Sequence, residues 1–258
     1  MGNNISVLIL AKNEAKNIRE CIASCTFAAE VVVIDDFSSD RTAQIAAECG
    51  ARVVQRAMKG DWGGQQTFAI SQAACPWIFF IDADERCTPQ LCAEIQNAAQ
   101  GPADCGYWVK RINHFQQRIV RHGPLSPDWV CRLMPREGSR VEGLVHPKII
   151  HGRKDKKLRA PMLHYTYATW EQYLDKMNKY STLSAEKYLH QGRRARTLPD
   201  IVLRPLFAFI KMYFLKLGFL DGILGYILAK NYAAYTMNKY VKLKYLTPPK
   251  TGASHEPD

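Results

Sequence analysis

The chain has no feature that would assign its class at once. Eight cysteines lie between Cys21 and Cys131, but none are spaced as CxxC, and the nearby histidines complete no zinc pattern. They read as small buried residues in a reducing compartment, not as ligands or disulfide partners. No Ser/His/Asp or Cys nucleophile pattern stands out, and there is no repeat or low-complexity tract. Nor is any long apolar run free of charge. The most apolar segment, 201–228, carries Arg204, Lys211, Lys216 and Asp221. A helix of about 20 residues carrying such charges crosses a bilayer only at a cost of several kcal/mol. The opening MGNNISVLIL is too short for a signal peptide and runs straight into a domain, so a cytoplasmic protein is expected. Acids are scarce near the C-terminus: between 191 and 250, eleven Lys and Arg face only Asp200 and Asp221. That segment accounts for most of the net +11 of the 258 residues. It suits anionic partners: nucleic acid, a phosphorylated glycolipid or an acidic membrane face. Nucleic acid is disfavoured, because the basic residues interleave with a long apolar stretch and no recognition motif accompanies them.

What the chain does have is alternation. Short β-branched runs at 5–10, 30–35, 51–56 and 76–81 read as strands. Between and after them, apolar residues recur at helical spacing over 14–26, about 38–48, 63–74 and 89–99. Ser38 or Ser39 can cap the second helix, and Thr88-Pro89 opens the fourth. This βαβαβαβα order predicts an α/β fold with a mainly parallel sheet and helices on both faces. From 105 to 150 the texture shifts to short extended segments, an antiparallel or mixed extension of the sheet. A helix follows at about 169–190, then the basic linker GRRARTLPD and a C-terminal helical extension.

Ligands of parallel sheets bind at the carboxyl ends of strands, and here polar clusters follow those ends. The run Trp77-Ile78-Phe79-Phe80-Ile81 stops at Asp82-Ala83-Asp84-Glu85. Alternate carboxylates repel unless a divalent cation lies beside them, and oxygen ligands suit Mg²⁺ or Mn²⁺ holding a substrate phosphate. Asp35 or Asp36, after the second strand, can accept hydrogen bonds from a ribose or a base. Asn13 and Glu14 follow the first strand. Gly63-Gly64 opens a helix whose N–H groups suit a phosphate.

In order and spacing these clusters resemble glycosyltransferase family 2: SVLILAKNEAKNIRECIAS, EVVVIDDFSSDRTAQIAAECGARV and WIFFIDADERCTP, over about 1–190. RHGPLSPDWVCRLMPRE, GLVHP, LHYTY, KMNKYS and LGFLDGILG further resemble the bacterial glycosyltransferases of lipopolysaccharide core assembly. The resemblance implies a GT-A (nucleotide-diphospho-sugar transferase) fold and inverting transfer of a hexose from a nucleotide sugar, UDP-glucose first, to the lipopolysaccharide inner core or another phosphorylated glycolipid. It implies a catalytic domain over 1–190, divided into a nucleotide-sugar half (1–100) and an acceptor half (101–167). By its own composition, 191–250 is expected to form a basic, apolar extension at the inner-membrane surface, and 251–258 a disordered tail. Ala11, Asn13, Glu14, Asp35, Asp36, Gln65, Asp82 and Ala83 would contact the nucleotide sugar. Asp84, Asp82 and His146 would hold the divalent cation. Two departures stand out. Asp61 precedes Trp62-Gly63-Gly64 where the family commonly has Gly-aromatic-Gly, and Val145-His146-Pro147 replaces the usual Val-His-Glu, so no role of that glutamate carries over. A polyprenyl phosphate acceptor, or non-catalytic binding of a sugar nucleotide, is the alternative reading.

Direct displacement needs no enzyme nucleophile, only a carboxylate base on the acceptor hydroxyl. Glu142, four positions before His146, is favoured slightly over Asp128 in the Pro127-Asp128-Trp129 turn. Arg132 is expected to hold an acidic acceptor or the diphosphate. In 201–246, two shorter helices broken near Gly218–Gly225 and lying in the membrane interface fit better than a span. The sequence carries no reading of oligomeric state.

Overall fold

The computed structural model describes residues 4–142 and 148–245. Contacts divide the chain into two units: 1–114 with 127–166, and 115–126 with 167–258.

The first unit begins with β1 (Ile5–Ala11), α1 (Ile18–Ala23), β2 (Glu30–Asp35), α2 (Thr42–Glu48), β3 (Arg52–Gln55), α3 (Trp62–Gln72) and β4 (Trp77–Asp82). These strands lie side by side in the order β3-β2-β1-β4, all parallel. The apolar runs become strands because both faces are covered. On one face Ile5, Val7 and Ile9 meet Ile18 and Cys21 of α1, and Phe27 meets Phe79 edge-on at 5.2 Å. On the other, Leu8, Ile34, Ile78 and Phe80 pack on Ala69 and Ile70 of α3. Each fully buried side chain of this size contributes about 1.5–3 kcal/mol.

Two helices start later than expected, for the same reason: local polar side chains take the backbone first. Glu14 to Asn17 form a turn, so α1 begins at Ile18. Ser38 gives its N–H and hydroxyl to Asp35, so it does not cap α2; Asp40 Oδ1 instead accepts Thr42 N–H at 2.9 Å.

Beyond β4 come β5 (Glu85–Cys87), α4 (Pro89–Ala99) and β6 (Cys105–Phe115). Thr88 caps α4 by accepting the Leu91 N–H, with Pro89 at its first position. After β7 (Arg118–Val120), which belongs to the second unit, follow β8 (Asp128–Pro135), β9 (Arg140–Glu142), β10 (Lys148–Ile150), β11 (Lys154–Lys157) and β12 (Met162–Tyr167). The sheet continues from β4 as β8-β6-β12-β5, with β8 antiparallel to both neighbours and β12 antiparallel to β5. β9 and β10 form a separate antiparallel pair. The antiparallel extension expected for 105–150 is present, and β5 and β12 lengthen it.

The second unit holds α5 (Trp170–His190), α6 (Arg204–Ile210) and α7 (Gly222–Tyr245). Thr169 caps α5 by accepting the Gln172 N–H, and the helix covers the stretch expected. π-helical turns at 197–203 and 211–215 extend α6 at both ends. Phe115, Tyr167, Trp170 and Tyr173 pack ring on ring. Lys242 Nζ ties α7 to α5 through Asn178, Ser181 and Thr182 at 2.7–3.0 Å. The helical stretches before and after 216–217 meet at 69°, where Leu217 takes a left-handed φ of 55°. Gly225 closes the bend, since a Cβ there would overlap the Gly218 carbonyl. The break falls where the glycines put it.

Candidate active site

The parallel register aligns the strand tips: Leu10 pairs with Asp82 and Ala11 with Asp35. The loops after β1 and β2 are sewn together by side chains. Asn13, at a left-handed φ of 57°, accepts Ser39 N–H at 2.8 Å, while its own N–H goes to Ser38 Oγ. Glu14 N–H donates to Thr42 Oγ1 and Ala15 N–H to Asp40. Asp35 is fully buried, receiving Ser38 and Gln55 at 2.5–3.3 Å. Asp36 accepts from Lys12 Nζ and Met58 N–H, both at 2.9 Å, and Lys12 first of all holds its carboxyl below the usual range. Phe37, next after Asp36, also takes a left-handed φ, of 48°, and is 58% exposed. A bulky residue held there costs about 1–3 kcal/mol and flags a functional position.

The acidic tip rests on two arginines. Glu85 is fully buried. Arg132 Nη2 reaches both of its oxygens at 2.6–2.7 Å and Asp82 Oδ2 at 2.6 Å. Arg111 Nη1 reaches Glu85 Oε1 at 3.0 Å, and its other edge forks onto Asp128 at 2.9 and 3.0 Å. Arg132, expected to face an acceptor or diphosphate, is instead buried beneath the tip. Burial works against ionisation of Asp82, but the Arg132 guanidinium outweighs it and holds the carboxyl low. At Glu85 burial wins over Arg132 and pushes the carboxyl up. Asp82 is 45% exposed and Asp84 27%. Ala83 is buried, and its carbonyl accepts from Arg86.

β12 adds a histidine. Tyr165 N–H donates to the Asp84 carbonyl, and the β5–β12 register sets His164 beside Glu85. His164 Nε2 then lies 3.4 Å from Asp84 Oδ2, and its buried Nδ1 has no hydrogen-bond partner. His146, the histidine expected at the cation, lies outside the described residues. Only the pairing of two segments about 80 residues apart identifies His164, and no local pattern carries it.

The β1 loop belongs to the same cluster. Burial pushes the Glu14 carboxyl up; Asn17 opposes this, and the charges of Asp84, Asp40 and Asp82 add to it. The register of β2, β1 and β4 sets the tip beside the loops after β1 and β2. Asp82, Asp84, Glu85 and Asp128 stand against Arg111 and Arg132, so two negative charges go unmatched.

Other expected site residues stand differently. Gln65 is buried, donating to the Arg56 carbonyl and accepting from its guanidinium, both at 2.9 Å. Gly64 does not present a free amide, because its N–H goes to Asp61 Oδ1 at 2.8 Å. Glu142 is 57% exposed, paired with Arg140 at 2.8 Å, on the separate β9–β10 pair. Its neighbour Val141 lines a cleft of ≈ 570 Å³ with Arg56, Gly63, Gly64 and Thr67. Among the described residues no group of three or more His, Cys, Asp or Glu is arranged to hold a metal ion.

A parallel half-sheet with acids at its strand tips, continued by an antiparallel half that returns a histidine to them, is a nucleotide-diphospho-sugar transferase (GT-A) fold. The model of glycosyl transferase family 2 matches residues 6–182. The chain belongs to that family and is a glycosyltransferase. It is 29% identical to the lipopolysaccharide core biosynthesis glycosyltransferase LpsC of Rhizobium meliloti (strain 1021), over 93% of this chain and 91% of that protein. It is 27% identical to an uncharacterized glycosyltransferase of Rickettsia bellii (strain RML369-C), over 96% and 88%. Among solved structures, glucosyl-3-phosphoglycerate synthase from Mycobacterium tuberculosis, in complex with Mn²⁺, UDP and phosphoglyceric acid, matches with TM-score 0.39 and 22% identity. That match covers 53% of this chain and 57% of that one.

Proposed function

We propose that the chain is an inverting, divalent-cation-dependent hexosyltransferase that takes its sugar from a nucleotide sugar, UDP-glucose first, and gives it to the lipopolysaccharide inner core. The observation that carries this is the convergence of Asp82, Asp84, Glu14 and His164 at the carboxyl ends of β1 and β4, with negative charge left over. The full-length similarity to LpsC supports the acceptor class.

Asp84 and His164 fit a cation whose other ligands are phosphate oxygens. The carboxylate and the imidazole Nε2 converge, and the unmatched charge calls for a positive partner. When bound, such an ion offsets the charge that builds on the leaving diphosphate. Mn²⁺ suits a mixed oxygen and nitrogen set better than Mg²⁺. Asp82, fixed by Arg132, lies where a ribose hydroxyl or the same ion can meet its free oxygen. Asp36 and the Asn13–Glu14 turn line the nucleotide end, and Phe37 offers its ring face to the base.

For the base, Asp128 is the better candidate. It is one residue removed from the acidic tip through Arg111, whereas Glu142 points outward on a separate strand pair. Asp128 Oδ1 accepts one hydrogen bond, so a lone pair remains for the acceptor proton. The sugar is attacked from the face opposite the diphosphate, which inverts the anomeric carbon.

The test is transfer by the purified chain to core oligosaccharide with a panel of nucleotide sugars, with Mn²⁺ or EDTA. Inverted product with UDP-glucose, lost in EDTA, with Asp84→Asn and with Asp128→Asn but kept with Glu142→Gln, is expected. Undiminished transfer in EDTA and by Asp84→Asn would falsify the metal assignment. Transfer only to a polyprenyl phosphate would replace the acceptor.

A further inference from the structure

The second unit contains a helix whose polarity is inverted. From Thr197 to Leu215 the chain is helical throughout. The face turned inward carries Asp200, Pro205, Ala208 and Met212. The face turned outward carries Leu198, Val202, Leu206, Ile210 and Phe214, each four residues after the last, with Phe207 alongside. These side chains are 39–62% exposed. A helix of a water-soluble protein does the reverse. The stripe continues around the bend through Leu215, Leu217, Phe219, Leu220 and Ile223. With Leu203, twelve large apolar side chains are exposed; at about 100 Å² each the patch is on the order of 1,000 Å². Monomeric soluble proteins rarely expose more than a few hundred.

Its border is cationic. Arg193, Arg194 and Arg196 precede the stripe and are exposed, and Lys211 lies on its flank. Asp200 is shared between Arg204 at 2.7 Å and Arg196 at 3.6 Å, so its one charge offsets only one of the two and the border keeps a cationic excess. Among the described residues no single helix is long and apolar enough to cross a membrane; the stretches Thr197–Leu215 and Gly218–Tyr245 together have the length and composition, but they turn by 69° at their break and so do not form one straight span.

We propose that this stripe and the bend are a shallow insertion surface for an anionic phospholipid bilayer. The apolar side chains enter the boundary between headgroups and acyl chains. The arginines pair with lipid phosphates, and Lys211 extends its ammonium to the headgroup level. The charge favours lipid over a second copy of this chain, whose own patch would bring the same cations face to face. The inference stands apart from the transferase reading.

The experiment is co-sedimentation of the full chain with vesicles of phosphatidylcholine alone or of an equimolar phosphatidylcholine–phosphatidylglycerol mixture. Binding to the mixed vesicles, weakened by salt, is expected. Leu206→Ser/Phe207→Ser/Phe214→Ser should lower partitioning at least about tenfold, with an unchanged thermal melt because all three side chains are exposed. Arg193→Glu/Arg194→Glu/Arg196→Glu should abolish the preference for the anionic lipid. In Phe207→Trp, extra emission quenched by brominated acyl chains reads insertion directly. Equal binding to both vesicles overturns the anionic part. Undiminished binding by the serine variant, or no quenching, overturns the surface. A dimer that the serine variant converts to monomer, without vesicle binding, assigns the patch to a second copy.

Discussion

Arg132→Met should be among the most damaging single substitutions in the first unit, and its cost can be worked from the tip. Arg132 is buried and its Nη2 contacts Asp82 and Glu85 at 2.6–2.7 Å. Charge centres about 4 Å apart attract by about 4 kcal/mol at an effective dielectric of 20. Removing one partner of a buried pair costs about 3–5 kcal/mol, because the other charge is left in low dielectric. Arg111 remains 3.0 Å from Glu85 and absorbs part of this, so we expect the low end, about 3 kcal/mol. Urea unfolding followed by tryptophan fluorescence reads it, since Trp62, Trp77, Trp108 and Trp129 all belong to the first unit. With a slope of about 2 kcal/mol per M the midpoint falls by about 1.5 M. The double variant Arg132→Met/Glu85→Leu removes both buried charges and should regain most of the loss. A midpoint within 0.5 M of the parent (about 1 kcal/mol), or a double variant no more stable than the single, refutes the reasoning: the guanidinium would then be balanced some other way.

Other outcomes follow from the same geometry. Phe37→Gly should leave stability within about 1 kcal/mol, since relieved strain and lost chain stiffness oppose one another, yet raise the donor KM several-fold; an unchanged KM would remove the ring from the nucleotide site. His164→Gln should weaken Mn²⁺ activation by about tenfold or more while binding of the nucleotide without metal persists; isothermal titration separates the two. At Glu30 burial works against the charge, but Ser6 Oγ at 2.5 Å, Ala74 N–H at 2.6 Å and Arg52 bring the carboxyl below its ordinary 4.5. A lowered folded value means stability present above the unfolded pKa and lost as pH falls through the folded one. Glu30→Gln should therefore cost about 1–2 kcal/mol at pH 7 and progressively less below pH 4.5, by urea titration at each pH. Lys242→Met should loosen α5 from α7 by about 1–2 kcal/mol, read as faster amide exchange across Asn178–Thr182.

The parallel half was legible because each of its elements is specified locally. Ile5–Ala11, Glu30–Asp35 and Trp77–Asp82 are apolar runs with abrupt polar ends, and Thr88-Pro89 marks a helix start by its own chemistry. The acids at the tips were legible for the same reason. What the local pattern did not carry is which distant segment meets which. β5 is three residues long, and only its pairing with β12 brings His164 to Asp84. Arg132 is expected from sequence at an acceptor or diphosphate and no local pattern marks Arg111, until β6 and β8 place both beside Glu85. Ser38 looked like a cap because nothing in its neighbourhood says that Asp35 turns inward and claims it. The inverted helix was legible in composition but not in direction: an apolar stripe states that a face wants cover, and only packing of Asp200, Pro205 and Ala208 against α7 decides which face is left without it.

Arg132 and Arg111 explain how a chain can tolerate so acidic a strand end. Three carboxylates within a few residues would repel one another, and the strand would fray. Setting the buried Arg132 and the half-buried Arg111 against Asp82 and Glu85 satisfies two of the three and joins Asp128 to them, so the framework is rigid before any ligand arrives. Asp84 is left out of that arrangement: neither guanidinium reaches it among the described contacts, and its near neighbour is the Nε2 of His164. Part of the unmatched charge thus sits on Asp84, the acid of the tip that no guanidinium reaches. A site built this way holds its geometry without the cation yet gains from one. Metal removal should accordingly abolish turnover while leaving the urea midpoint of the first unit almost unmoved. If EDTA instead lowered that midpoint as much as Arg132→Met does, the cation would be part of the framework, and the arginines would not be its foundation.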